Sequence, residues 1–216
     1  MLTNPSYVLL LLTLSFNLSA LGVEQLVLDD ILLKQQYDSS FCGVLIAHAY
    51  FFGTFFMLMG AAWIDNSANY VKVSRISSFI CALCIATFNI SIILPNIKDV
   101  ILVTNVMASF GSSLMYPSLL QVSLRAASSI LPESSVTAIV IILQQLLMSG
   151  LINLLSPLKR FSPQPDGYQA PMIIFSCSVM LLNILYVTSF SAPSRERLHE
   201  KLRSLGDREV LVNEEE

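Results

Sequence analysis

Asn17, Glu24, Gln25, His48, Asn89, Asn105, Tyr116, Gln121, Arg125, Gln144, Gln145 and Asn183 are polar side chains set in otherwise apolar stretches. In hydrocarbon each of them costs free energy unless it faces a partner or a water-filled cavity. Asn and Gln can serve as glue between helices. Asn17, Gln144 and Asn183 lie near the middle of their runs, where a polar group most needs an explanation. Taken together, the polar residues of the first, fourth and fifth runs predict a polar cavity. Glu24 and His48 lie within about two helical turns of one surface. Glu24 can attract a cation there, or stand as a solvated rim residue with Asp29 and Asp30. His48 can act as a proton-linked switch, or remain neutral and bond to a neighbouring helix. Arg125 lies at a run's end, where a long cationic side chain can snorkel.

Catalytic chemistry has no comparable set of residues. The sequence contains no Gly-rich phosphate loop, no zinc-ligand spacing and no nucleophile paired with a base. Cys81 and Cys84 form a C-x-x-C, but on an apolar segment without a nearby His or acid. We expect no enzyme activity, no cofactor and no metal.

The elements that must position these residues follow from composition. The chain has 216 residues, 54% hydrophobic and 12% charged, with a mean hydropathy of +0.67. Soluble domains carry about 25% charged residues. Six apolar runs reach membrane-spanning length, at about 7–28, 42–64, 76–94, 100–122, 135–158 and 170–190. The expected fold class is all-α: a polytopic membrane protein of six transmembrane helices. Residues 1–190 would form the membrane domain and 191–216 a tail. The first run has no preceding Lys or Arg and continues through "VEQLVL", so we read it as a retained helix and not as a signal peptide.

Six spans put both termini on one side. That side carries eight Lys and Arg and the other carries four. The positive-inside rule then makes both termini cytoplasmic, in a plasma or endolysosomal membrane. Asn17-Leu-Ser and Asn89-Ile-Ser match the glycosylation pattern but fall inside spans. Pro117 predicts a kink or break in the fourth helix. The segment "KRFSPQPDGYQAP" reads as an irregular loop. In the tail, Ser194 can cap a short amphipathic helix with Leu198, Leu202 and Leu205 on one face and basic residues elsewhere. The net charge of −3 comes largely from this tail and points to no nucleic-acid partner. The expected partner is the lipid bilayer.

The link after the second run, "GAAWIDNSANYVKVSR", resembles the G-x-x-x-D-R/K motif of the major facilitator superfamily. "NPSYVLLLLTLSFNLSALGVEQLVLDDIL", "YDSSFCGVLIAHAYFFGTFFMLMGAAWID" and "LPESSVTAIVIILQQLLMSG" resemble the C-terminal half of one branch of it. That branch is the feline leukaemia virus subgroup C receptor-related family, the solute carriers that include haem and choline carriers. The resemblance covers residues 4–205. It implies half of a major-facilitator fold and transport of a small solute by alternating access. The class of solute implied is choline-, ethanolamine- or haem-like. Substrate-cavity candidates are then Asn17, Glu24, His48, Tyr116, Gln121, Gln144 and Gln145. The inner-gate motif falls on Gly60, Asp65, Lys72 and Arg75, with Asp65 beside the start of the fifth helix at Pro132 to Ser135. Pro132 suits the first helical position there.

Departures accompany the resemblance. Ala61 stands where the motif has Gly, and Asn66 follows Asp65 in place of Arg or Lys. The family's glutamine near the substrate falls at Leu147, its aromatic cavity residue at Gly22, and its acidic pair after Pro117 at Gln121 and Arg125. The aromatic cage for a quaternary ammonium is therefore not carried over. A six-helix half also has no opposite wall. Three readings stay open: a fragment or short isoform, a half that pairs with an N-terminal half or a second copy, or a non-transporting assembly or regulatory subunit that keeps the half-carrier fold.

Overall fold

The computed structural model describes residues 5–67, 69–94, 97–127, 132–162 and 167–190. The expected tail helix and residues 163–166 of the "KRFSPQPDGYQAP" loop lie outside them. The described residues form six α-helices and no strand: α1 (Pro5–Lys34), α2 (Ser39–Asp65), α3 (Tyr70–Ile92), α4 (Lys98–Ala127), α5 (Glu133–Lys159) and α6 (Gln169–Ser189). All six are long and apolar enough to cross a bilayer. The chain is a polytopic membrane protein, as its composition predicts. The helices overrun the apolar runs, α1 by six residues to Lys34 and α3 by six from Tyr70. Helix propagation does not stop where hydropathy does; it stops where a cap or breaker intervenes.

The polar link after α2 supplies such stops. Asn66 caps α2, with its backbone N–H on Ala62 O at 3.2 Å and its side-chain amide on the same oxygen at 3.0 Å. Asn69 caps α3, its Oδ1 accepting from Lys72 N at 2.9 Å. The two asparagines of this link are thus turn chemistry. At α5, Pro132 takes the N-cap position, one residue before the helical position expected for it, and Glu133 opens the first turn. Its carboxylate suits the positive helix end.

α4 runs unbroken through Pro117. The ring leaves the carbonyl four residues back, Ser113 O, without its helical donor. That oxygen faces Gly60 of α2, where a Cβ would lie 3.3 Å from it and 3.3 Å from Leu114 Cα. Gly111 permits a still closer approach on the other side of α4. A Cβ there would lie 2.9 Å from Cys81 Cα of α3. These contacts make α3, α4 and α2 one tightly packed set, while α5 packs chiefly on α1 and α6 on α3. α1 and α3 are the most enclosed helices; α2 and α5 leave most of their surface outward.

Candidate functional site

The two ends of the bundle differ: the terminal end carries Pro5 and Phe190, and the link end carries the α1–α2, α3–α4 and α5–α6 connections. In the link half, α1, α2 and α4 surround a small cleft of about 80 Å³. Glu24 and Gln25 reach it from α1, Gly53 and Ala49 from α2, and Asn105, Ser109, Ser112 and Ser113 from α4. The α4 residues recur at intervals of three and four, one helix face. Gly53 keeps the α2 wall thin; a Cβ there would stand 3.4 Å from Ser113 Oγ.

Hydrogen bonding inside the cleft leaves acceptors over. Asn105 donates Nδ2 to Leu45 O at 2.8 Å, tying α4 to α2. Ser109 and Ser112 donate to their own helix, to Asn105 O at 2.9 Å and Ala108 O at 2.8 Å. Their oxygens therefore offer lone pairs and no further proton. Glu24 is 2% exposed; its Oε1 accepts from Asn89 Nδ2 of α3 at 2.6 Å. Such a cleft suits a hydrogen-bond donor or a cation.

The structure separates the other predicted cavity residues. Asn17 lies in a seam, not in the cleft. Its Nδ2 donates to Thr13 O at 2.6 Å, and its Oδ1 accepts from Asn183 Nδ2 of α6 at 3.0 Å. Ser78 of α3 donates to Asn183 Oδ1, so three helices meet on one amide pair. His48 places Nδ1 2.7 Å from Val44 O, a bond within its own helix and not to a neighbouring one. Its ring stacks on Phe52, centroids 5.9 Å apart. Gln144 gives only its backbone oxygen, which accepts from Ser19 of α1 at 2.7 Å. Gln145 is exposed and lines a shallow groove on α5 with Met148, Ser149, Ile152 and Asn153. Tyr116 is half-buried on the edge of the terminal-half core. Gln121, with its amide oxygen turned to accept, takes Arg125 Nε at 3.2 Å. Arg125 in turn lies 3.5 Å above the Tyr70 ring.

The gate residues are likewise spread. Gly60 is the α2–α4 contact described above. Asp65 and Lys72 are exposed. Arg75 donates to Phe190 O at the C-terminus of α6, where a cation meets the helix's unpaired carbonyls. At the link end Tyr168 fastens three helices. It donates to Asp30 Oδ2 of α1 at 3.0 Å and accepts from Lys159 Nζ of α5 at 2.6 Å. Burial, then the Asp30 bond, pushes its hydroxyl up to about 12.

Sequence reasoning overlooked the serines. Ser109, Ser112 and Ser113 share the Asn105 face of α4, and Ser74, Ser77 and Ser78 share one face of α3. Spacing at three and four was the available signal. Among the described residues, no group of three or more His, Cys, Asp and Glu could hold a metal ion.

The sequence matches no family model and no curated protein.

Proposed function

We propose that this chain moves a small solute across a membrane by alternating access, as the C-terminal six-helix half of a major-facilitator carrier. Choline-, ethanolamine- or haem-like organic solutes are the class the resemblance implies. One observation carries this reading: polar side chains at membrane depth stand uncovered on one face of the bundle. Gln145, Ser149, Asn153 and Ser156 run along the exposed side of α5. Met148 of the same groove lies against Gly22, at 3.0 Å from where its Cβ would be. Leu21 and Gln25, flanking Gly22 on α1, line the cleft. Cleft and groove thus border one face of α1. Amides facing lipid are costly, whereas amides facing a second wall or a solute path are not.

Helix pairing supports the same reading. α2 packs on α4 and α5 on α1. An approximate two-fold relation between α1–α3 and α4–α6, as in the nested three-helix repeats of such carriers, would produce that exchange. The opposite wall is an N-terminal six-helix half or a second copy of this chain.

The test is uptake of labelled choline, ethanolamine and haem by proteoliposomes holding this chain alone, then the chain with an N-terminal half. Uptake in either arm supports the proposal. Its absence from both, with the chain folded, overturns it in favour of an assembly or regulatory subunit. In the carrier, Asp65→Asn weakens the inside-closed state and favours the inward-open one. Crosslinking that holds Asp65 far from Pro132 to Ser135 removes that role.

A further inference from the structure

Two buried oxygens behind the cleft have no partner among the described residues: Glu24 Oε2 and Asn89 Oδ1. Both belong to one contact. Asn89 Nδ2 donates to Glu24 Oε1 at 2.6 Å, which occupies one oxygen of the carboxyl and the nitrogen of the amide. What remains on each group is an acceptor. Two unpartnered acceptors left on one buried contact cost free energy. One added proton changes this. A carboxylic acid and a primary amide form a cyclic pair, with N–H donating to the acid's carbonyl oxygen and O–H donating to the amide's.

We infer that Glu24 and Asn89 form a proton-binding site between α1 and α3. The proton sits on Glu24 Oε2 and is donated to Asn89 Oδ1. Its gain converts the carboxylate to the neutral acid and satisfies both orphan oxygens at once. Its loss leaves a carboxylate facing the amide oxygen. The cleft is where that charge can be solvated, because Glu24 lines it while Asn89 stands behind.

Among the described residues no cation near the site offers an alternative partner. On α3 the titratable neighbours are Cys81 and Cys84, both buried free thiols packed against Gly111 of α4. On α4 the groups nearby are Asn105 and Ser109, while Lys98, Asp99 and Arg125 lie at its ends. α2 contributes Cys42 and His48, whose Nδ1 is engaged with Val44 O. Asp29, Asp30 and Lys34 end α1, Glu133 and Lys159 stand at the ends of α5, and Cys177 and Tyr186 are the titratable groups of α6. This inference does not rest on the carrier reading; it needs only a membrane around the bundle.

The experiment is infrared spectroscopy of the full chain in lipid nanodiscs, with carboxyl labelling by dicyclohexylcarbodiimide, an apolar reagent that adds to protonated carboxyls. The expected result is a protonated-carboxyl C=O band near neutral pH, lost in Glu24→Gln and retained in Asp30→Asn. Glu24→Gln folds with unchanged melting temperature, since its amide N–H replaces the acid O–H on Asn89 Oδ1. Peptide mapping of the wild-type chain finds the adduct on Glu24, falling about tenfold for each pH unit above its midpoint. This wild-type arm stands whether or not the variant folds. A folded chain with no Glu24-dependent band, or labelled only at Asp29 and Asp30, holds Glu24 as a carboxylate and overturns the inference.

Discussion

The α1–α3–α6 seam and the outer face of α5 hold the same kinds of side chain in opposite circumstances. In the seam, Asn17, Asn183 and Ser78 close on one another, and Ser74 meets Tyr186 Oη at 2.7 Å nearby. On α5, Gln145 and Asn153 point away from the bundle. An amide inside a membrane protein is thus glue where it has a partner across a helix pair, and a demand for a partner where it has none. Small residues decide which helices come close enough to be seams. Gly111 and Gly60 bring α3 and α2 onto α4, and Ser77 to Ser118 at 2.6 Å bridges the first of these contacts.

The largest break in this comparison is Gly111→Val. Its branched side chain meets the Cys81 backbone, and overpacking of that kind costs about 3 kcal/mol. Thermal unfolding in detergent should show a sharply lowered melting temperature or no folded chain. A near-normal value would mean that the α3–α4 contact is looser than its geometry. Asn183→Leu comes next. It strips the partners of Asn17 and Ser78, and stranded buried groups of this type cost about 1–3 kcal/mol. A double-mutant cycle with Asn17→Leu should return a coupling between the two sites; simple additivity would place them in separate contacts.

Asn153→Leu, the same change on the open face, sharpens the contrast through its sign. The isolated chain should keep or raise its melting temperature, within about 0.5 kcal/mol. Association with a second half, followed by crosslinking in proteoliposomes, should fall. If Asn153→Leu destabilises the isolated chain as much as Asn183→Leu does, the two regions do not differ. Tyr168→Phe has a modest effect, about 1 kcal/mol, by removing one hydroxyl from the Asp30–Lys159 latch. The hydroxyl's folded value of about 12 lies above the ordinary tyrosine value of 10. Its contribution is therefore complete below about pH 10 and lost as pH rises towards about 12. Alkaline unfolding of Tyr168→Phe should lack that component.

Much of this was legible in the residues themselves. Six uninterrupted apolar runs permit six helices and little else, because backbone amides in hydrocarbon must bond within their own segment. Asn66 and Asn69 bracket a turn for reasons local to the chain. Glu24 stood out because a carboxyl in an apolar run demands explanation. Its bond to Asn89 did not, since the two are 65 positions apart. Asn17 and Gln144 illustrate the limit from the other side. Both read as cavity residues by depth, and the structure turns one into a seam and engages the other through its backbone.

Length, class, the number of crossings and the capping chemistry were determined by the sequence alone, because each depends on neighbours within a few residues. Only the tertiary structure decided which polar groups face one another. That choice depends on the rotation and separation of packed helices, which Gly60, Gly111 and Gly22 permit but do not by themselves specify. The pairing of Glu24 with Asn89 across α1 and α3, and the absence of a second partner for either among the described residues, belong to that level.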